Sequence, residues 1–319
     1  MTKKILFVVH RYSPYPGGSE NFVRDMAEEV VRRGHTAAVF AGEHKGDLNG
    51  VRVTDNGQIF QEHWDLVVIH GGNVPLQDFI ISNIPNIKAP VLFLLVRPSD
   101  SPIYLFGMQN AAFIGCDTEE DFGSVPPQFQ HKIRKIRHGV DPKISTGVDG
   151  FKKMYGIKTP YMFISGGGFW PNKAMKELTD VFHAAGRDDV TLVLTGYDNR
   201  HGIMPSDEPN IRSLLIDDRN DVLSGIKEAD LYIMHSFSEG YGLVLLEAML
   251  NKTPWAARNI AGARQLKDYG FTYDSDDQLL QYLKDFKPVS DKQLKKSYNT
   301  VKSNYTTKNV VDDLMAIVP

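Results

Sequence analysis

The stretch Ser236-Phe237-Ser238-Glu239-Gly240-Tyr241-Gly242-Leu243-Val244-Leu245-Leu246-Glu247-Ala248-Met249 follows the apolar run Asp230-Leu231-Tyr232-Ile233-Met234-His235. The apolar run reads as a buried parallel strand, and the breaker-rich bend from Ser236 to Gly242 launches a helix. Strand, loop and helix in that order present free N–H groups and the positive end of a helix dipole, which suit a diphosphate. Glycines at 240 and 242 let a ligand approach the backbone. At about 1.5 Å rise per helical residue, Glu239 and Glu247 would stand roughly 12 Å apart, near the span from sugar to ribose in a nucleotide diphosphate sugar. Two arbitrary glutamates would more simply be a helix cap and a solvated surface residue, so the surrounding pattern has to decide.

Two further segments repeat the arrangement. Lys3-Lys4-Ile5-Leu6-Phe7-Val8-Val9-His10 leads into Pro14-Tyr15-Pro16-Gly17-Gly18-Ser19-Glu20, and Phe22, Met26, Val30 and Val31 then recur at helical spacing before Gly34-His35 and a strand over Thr36 to Phe40. The order is β-α-β, although the glycines do not form the Gly-x-Gly-x-x-Gly dinucleotide fingerprint. Tyr161-Met162-Phe163-Ile164-Ser165-Gly166-Gly167-Gly168-Phe169-Trp170-Pro171-Asn172-Lys173-Ala174 is again a strand, a glycine loop and a helix start. Lys173 is placed to meet phosphate; the plainer alternative is a solvent-facing lysine.

The pattern Glu, seven residues, Glu, with Gly-Tyr-Gly-Leu inside and Glu-Ala-Met at its end, resembles the signature of retaining glycosyltransferases of the GT4 type, the glycosyl transferases group 1. The N-terminal Gly17, Gly18, Glu20, Gly34 and His35 match the opening of the same family. The resemblance implies a GT-B fold, two facing Rossmann-like α/β domains with mostly parallel sheets and a cleft between them. It implies that Glu239 lies near the donor sugar, that Glu247 binds the ribose, and that Lys173 neutralises the leaving diphosphate. Gly240, Tyr241, Gly242, Leu243, Gly17, Gly18, Gly167 and Gly168 complete the expected donor-binding set, with His70 as a first-domain contact to donor sugar or acceptor. Catalytic roles thus fall to Glu239, Lys173 and His70. Two departures stand out: Gly168 occupies the apparent position of an arginine, and His138 that of an asparagine. Lys173 and helix dipoles could suffice, Arg11 could substitute, or the activity could be altered.

With 319 residues the chain has room for two cores. The expected division is residues 1–142, an acceptor-side domain, and 143–305, a nucleotide-sugar domain, with a C-terminal helix within 306–319 packing back on the first. Residues 143–160, rich in Gly, Lys, Asp and Pro, read as the linker. Strands are expected at Leu66 to His70, Val91 to Val96, Phe113 to Cys116, Thr191 to Thr195 and Leu231 to Met234, and ligands bind beyond the carboxyl ends of such strands. The base-reading segments are expected near Gly196 to Pro205 and Leu215 to Asp218. Arg258 reads equally as a ligand contact or an ion-pair partner, and Gly262 as support for the site.

Composition is that of a globular protein: 42% hydrophobic, 24% charged, and no apolar run approaching the roughly 18 residues of a membrane helix. The single Cys116 leaves no intramolecular disulfide framework, and no signal peptide is visible, so the expected compartment is the cytoplasm. A net charge of −3 gives no general attraction to nucleic acid. His131-Lys132, Arg134-Lys135 and Arg137-His138 form a local basic cluster, read either as a solvated strand edge or as a dock for an anionic lipid surface, which keeps peripheral membrane contact open. Ten histidines show no zinc-type spacing, so no metal and no cofactor is expected. Asp274 and Asp276 read as caps of a helix over Gln278 to Lys284.

The expected function is therefore metal-independent, retaining transfer of a hexose-type sugar from a nucleotide diphosphate sugar, UDP favoured and GDP allowed. The acceptor would be a hydroxyl of a glycan, lipid-linked or small-molecule compound. Alternatives are a GT-B protein that binds nucleotide without turnover, a sugar-nucleotide epimerase, a transferase acting on modified DNA bases, and a glycosidase. Glycosidase carboxylates would stand about 5 to 9.5 Å apart, closer than the spacing estimated here.

Overall fold

The computed structural model describes residues 1–70, 75–96 and 101–319. Gly71 and Gly72, which follow His70, lie outside them. The described residues divide into two compact units, Met1–Gly139 with Tyr305–Pro319, and Val140–Asn304.

In the first unit β1 (Lys4–Val8), β2 (Thr36–Phe40), β3 (Arg52–Thr54), β4 (Leu66–His70), β5 (Val91–Leu94), β6 (Phe113–Cys116) and β7 (Ile133–Lys135) form one sheet in the order β3-β2-β1-β4-β5-β6-β7. Every pairing is parallel. The inner strands β1, β2, β4, β5 and β6 are near-continuous apolar runs because helices α1 (Gly18–Arg32), α2 (Pro75–Asn83), α3 (Pro102–Asn110) and α4 (Glu119–Ser124) accompany them. Phe22, Val23, Met26, Ala27 and Val30 of α1 are buried, the stripe expected of a helix lying on a sheet.

The second unit repeats the plan. Here β8 (Tyr161–Gly166), β9 (Val190–Gly196), β10 (Ile211–Leu215), β11 (Leu231–Met234), β12 (Trp255–Arg258) and β13 (Phe271–Tyr273) are ordered β10-β9-β8-β11-β12-β13, again all parallel. Strand order reverses between β8 and β11, the point where open α/β sheets bind ligands. The unit's helices are α5 (Phe151–Met154), α6 (Met175–Ala185), α7 (Arg219–Glu228), α8 (Leu243–Leu250), α9 (Ala261–Gln265), α10 (Asp276–Lys284) and α11 (Asp291–Asn304). Phe163, Leu178, Leu192, Ile233 and Tyr273 lie at its centre.

The stretch 143–160 is not a loose linker. It carries α5 and is fastened to the second unit by side chains far along the chain: Asn251 accepts from the Gly147 amide at 2.8 Å and donates to the Ser145 carbonyl at 2.9 Å. Glu228 accepts from the Lys152 amide at 2.7 Å, and Ser145 is fully buried. Its backbone groups are thus capped by side chains of α7 and of the turn after α8.

A final helix, α12 (Thr307–Met315), belongs to the first unit and packs on α1. Val310, Val311 and Leu314 are fully buried, and Thr306 and Asn309 form a capping box at its start. Arg33 reaches Asp312 at 2.8 Å and the Lys308 carbonyl at 2.7 Å. Arg137 grips Asp313 through Nε at 2.7 Å and Nη2 at 2.6 Å, a paired contact that raises the guanidinium pKa further. Much of the basic cluster is thereby absorbed. Lys132 donates to the carbonyls of Met108, Gln109 and Ala111 at the end of α3, and Arg134 donates to the carbonyls of His131 and Ile133. No helix among the described residues is long and apolar enough to cross a membrane.

Leu314→Ala is expected to destabilise the protein by about 2 to 5 kcal/mol, the range for a buried leucine lost from a packed core. A fall of that size in the denaturant-unfolding free energy checks it; a change within about 0.5 kcal/mol, as at a surface site, would mean α12 is not part of the core.

Candidate functional site

The loops that follow β8 and β11 meet at the reversal of strand order. Lys173 Nζ lies 2.6 Å from Glu239 Oε1, and both side chains are largely buried, 17% and 10% exposed. Asn172 adds two links: its carbonyl accepts from the Phe237 amide at 2.8 Å, and its side chain donates to the Ser238 carbonyl at 3.1 Å. The loops are therefore zipped by three consecutive contacts, of which only Lys173 was expected to matter. Beneath them Tyr232, buried in β11, exchanges hydrogen bonds with the Gly166 amide and carbonyl, both at 3.2 Å. Burial holds that phenol un-ionised, with its pKa well above the ordinary tyrosine value.

Glu239 does not lie on a helix. Gly242, in the left-handed region at φ +88°, is the N-cap of α8, which starts at Leu243. The spacing estimated for Glu239 and Glu247 assumed an unbroken helix and does not apply. The left-handed turn is what glycine allows here, because a Cβ at Gly242 would also press on Met234 Sδ at 2.9 Å. Tyr241 is buried, and its carbonyl accepts from the Gly262 amide at 3.0 Å, so Gly262 does support the loop. Gly240 and Leu243 flank these positions, one in the loop and one opening the helix.

Glu247, on α8, faces Arg219, the first residue of α7. Arg219 Nη2 donates to Glu247 Oε1 at 2.6 Å and to Ser145 Oγ at 3.0 Å. This partner was not foreseen. Arg219 adjoins the expected base-reading stretch ending at Asp218, whose side chain caps α7, but nothing local announces a partner on another helix. Asn251, one turn beyond Glu247, also binds the Ser145 carbonyl, so one segment anchors both groups.

Gly167 and Gly168 are both left-handed, at φ +116° and +99°. A Cβ on Gly167 would stand 3.1 Å from Lys173 Nζ, and one on Gly168 would stand 2.6 Å from the Trp170 indole. The space beside Gly168 is therefore filled by an aromatic ring, and a long cationic side chain at this position would need both a strained backbone and displacement of Trp170.

Gly17, Gly18 and His70 lie in the first unit. Gly17 is the N-cap of α1, and a Cβ there would stand 2.2 Å from Glu20 Oε2, so the glycine lets Glu20 fold back under its own loop. Gly18 opens α1 with nothing near its Cβ position. Glu20 is 4% exposed, and burial raises its carboxyl pKa against the opposing pull of Arg11, whose Nε lies 3.1 Å away. Arg11 is thus held by Glu20 and by the Tyr15 ring, 4.8 Å from its guanidinium carbon. His70 ends β4 with 2% exposure, edge-on to Phe22, which in turn stacks on His138. His138 Nδ1 meets Asp117 Oδ2 at 3.1 Å.

Arg258 resolves as an ion-pair partner: it reaches Asp276 at 2.7 Å and the His235 carbonyl at 3.0 Å. Asp276 is therefore not the cap of α10, and neither is Asp274; Ser275 accepts from the Gln278 amide in that role. Asp274 instead accepts from the Asn259 side chain at 3.1 Å. Among the described residues no three His, Cys, Asp or Glu side chains gather in a way that could hold a metal ion.

Residues 160–285 match a family described as glycosyl transferases group 1. No curated protein sequence matches the chain. Among solved structures it resembles Anabaena Alr3699/HepE in complex with UDP-glucose, with a TM-score of 0.77 and 16% identity over 98% of each chain. It resembles the sucrose-phosphate synthase tll1590 of Thermosynechococcus elongatus, TM-score 0.77 and 13% identity over 99% of this chain and 98% of that one. WaaG, a glycosyltransferase involved in lipopolysaccharide biosynthesis, aligns with a TM-score of 0.74 and 16% identity over 98% of this chain and 99% of its own. The fold is GT-B.

Acid sensitivity follows from buried histidines. Burial lowers the pKa of His70 to about 3 and of His10 and His235 to about 4. In the folded protein they stay neutral where the unfolded chain takes up protons, so the stability they allow is complete above about pH 6.5 and falls as pH drops toward 4, and toward 3 for His70. The slope is up to about 1.4 kcal/mol per pH unit for each histidine. Unfolding free energies at pH 7 and pH 5 should show this loss, and His70→Phe should lessen it; an unchanged pH difference in that variant would refute the assignment to His70.

Proposed function

On the match of residues 160–285 to the glycosyl transferases group 1 family, we propose that the protein is a GT4-type retaining glycosyltransferase that uses a nucleotide diphosphate sugar, UDP favoured and GDP allowed. The observation that carries the reading is the Lys173–Glu239 pair at 2.6 Å, set between the Gly167-Gly168 turn and the N-terminus of α8. A leaving diphosphate gathers negative charge as its bond to the sugar breaks, and stabilising that charge is the main catalytic task. Lys173 and the amides of Gly242 and Leu243 are the groups assigned to it, with Gly167, Gly168, Gly240 and Tyr241 lining the backbone approach. Glu239 orients the sugar hydroxyls and balances positive charge on the ring as the bond lengthens. Glu247 takes the ribose with one carboxylate oxygen while Arg219 holds the other.

In this scheme the acceptor hydroxyl attacks the anomeric carbon on the face the diphosphate leaves. The bond from the anomeric carbon to phosphate oxygen breaks, the bond to the acceptor oxygen forms, and the hydroxyl proton passes to the departing phosphate oxygen. The anomeric configuration is retained and no protein nucleophile is used. From the first unit the reading takes Gly17 and Gly18 as backbone contacts and His70 as a neutral hydrogen-bonding side chain. The acceptor is a hydroxyl of a glycan, lipid-linked or small-molecule compound, nucleic acid is not a partner, and transfer proceeds without a metal. The UDP-glucose bound to HepE favours a UDP-sugar donor here.

Thermal unfolding with UDP, GDP, ADP, CDP and dTDP tests the reading. One diphosphate is expected to stabilise the protein by about 2.7 kcal/mol at a hundredfold excess over its dissociation constant. Glu247→Gln, which keeps the side chain's size, should lose most of that shift. Lys173→Ala should lower sugar transfer by about 10²-fold or more while the protein stays folded, and EDTA should leave transfer unchanged. No shift with any nucleotide would falsify the reading, and nucleotide binding without turnover would instead identify a protein that binds its donor and no longer transfers it.

A further inference from the structure

The carboxyl ends of β8 and β9 touch through two glycines. A Cβ at Gly196 would stand 3.0 Å from Gly168 Cα and 2.7 Å from the Phe169 ring, so the segment after β9 springs from beside the Gly167-Gly168 turn. Tyr197, the first residue of that segment, comes within 3.6 Å of the Gly168 Cβ position, on the same turn that Trp170 covers. Three residues further along, Arg200 lays its guanidinium over the Trp170 indole, 5.1 Å from the ring centroid, and the His201 ring lies 4.7 Å from it. Asp198 fixes the arginine from the side: its Oδ2 alone meets both Nε at 2.9 Å and Nη2 at 2.7 Å. Nη1 has no partner among the described residues, and the side chain is 53% exposed, whereas Lys173 is 17% exposed.

We infer that Arg200 is a second cation of the leaving-group site, carried on the indole of Trp170 and directed at a diphosphate seated on the Gly167-Gly168 turn. The inference rests on the nucleotide-sugar reading above. The chemistry requires more positive charge than Lys173 supplies, because Glu239 already balances that lysine while a diphosphate brings at least two negative charges. A guanidinium has five N–H donors in a planar fork, so Asp198 can keep one edge while phosphate oxygens take the other. Stacking on an indole favours the cation and limits its rotamers, which places the charge without burying it. The ring that occupies the space beside Gly168 is thus the support for a charge delivered from the neighbouring strand's loop. Arg11 is less suited to the task, since Glu20 and Tyr15 already hold it.

The test is titration of the full chain with UDP, GDP, ADP, CDP and dTDP, and with the parent nucleoside of whichever diphosphate binds, comparing wild type with Arg200→Ala, Arg200→Lys and Trp170→Ala. Arg200→Ala is expected to weaken the diphosphate about tenfold, leave nucleoside affinity unchanged and flatten the salt dependence of diphosphate binding. Arg200→Lys should recover part of the loss, and Trp170→Ala should cost about as much as Arg200→Ala with little further loss in the double variant, because ring and cation act as one unit. Arg200 is exposed, so unchanged circular dichroism and thermal midpoint are expected without ligand. If the wild type binds a diphosphate and Arg200→Ala binds it within about twofold, or loses nucleoside equally, the inference is overturned and the glycosyltransferase reading stands. If the wild type binds no diphosphate at all, that reading fails and this inference falls with it.

Discussion

The contact on which the site depends is the ion pair between Lys173 and Glu239, and it exists because β8 and β11 are neighbours in a parallel ladder. Leu231 pairs with Phe163 and Tyr232 with Ile164, so the two strands end together and their loops emerge side by side although 66 residues separate the paired charges. Parallel pairing also points both loops to the same end of the sheet, where the α8 dipole adds positive potential. Each charge answers the other, so neither is left buried and alone. Under the proposed function, a donor phosphate would compete with Glu239 for the ammonium and leave the carboxylate to the sugar.

Across the rest of the second unit the same economy of charge holds. Glu247 answers Arg219, Asp276 answers Arg258, and Glu228 caps the amides of residues 150 and 152. Two of the histidines that the fold buries, His70 and His235, are kept neutral instead. Cation and carboxylate therefore serve as joints between segments distant in sequence.

How much of this was legible in the sequence depended on range. Continuous apolar runs identified the strands Leu66 to His70, Phe113 to Cys116 and Leu231 to Met234 because burial on both faces leaves no other composition for them. The Gly34 turn after α1 and the bend after β11 were equally visible, since breakers act locally. Partners brought in by the fold were not. Nothing near Arg219 points to Glu247, and nothing within 143–160 shows that Asn251 and Glu228 will fasten it, so a polar segment read as a linker. The spacing of the two glutamates failed for a local reason, because the left-handed residue Gly242 delays the helix to Leu243. Asp276 looked like a cap by position, yet Ser275 reaches the amide and leaves the aspartate to Arg258. Of the basic cluster, Lys132 turned inward to a helix end and Arg137 to the Asp313 carboxylate, uses of charge that composition cannot separate from a docking patch.

The return of α12 to the first unit means that this unit is assembled from two pieces of chain with the whole of Val140–Asn304 between them. On a ribosome the second unit would be complete in sequence before the first, although the first begins earlier. Until residues 307–315 emerge, the surface of α1 that meets Val310, Val311 and Leu314 has no cover, and Arg33 and Arg137 wait for Asp312 and Asp313. A nascent chain would thus carry an exposed apolar strip and an Arg137 without its carboxylate, Arg33 keeping only Glu29, for the time taken to make some 165 residues, a distance set by the unit boundaries. That interval is a natural point for a chaperone to act and for misassembly to begin.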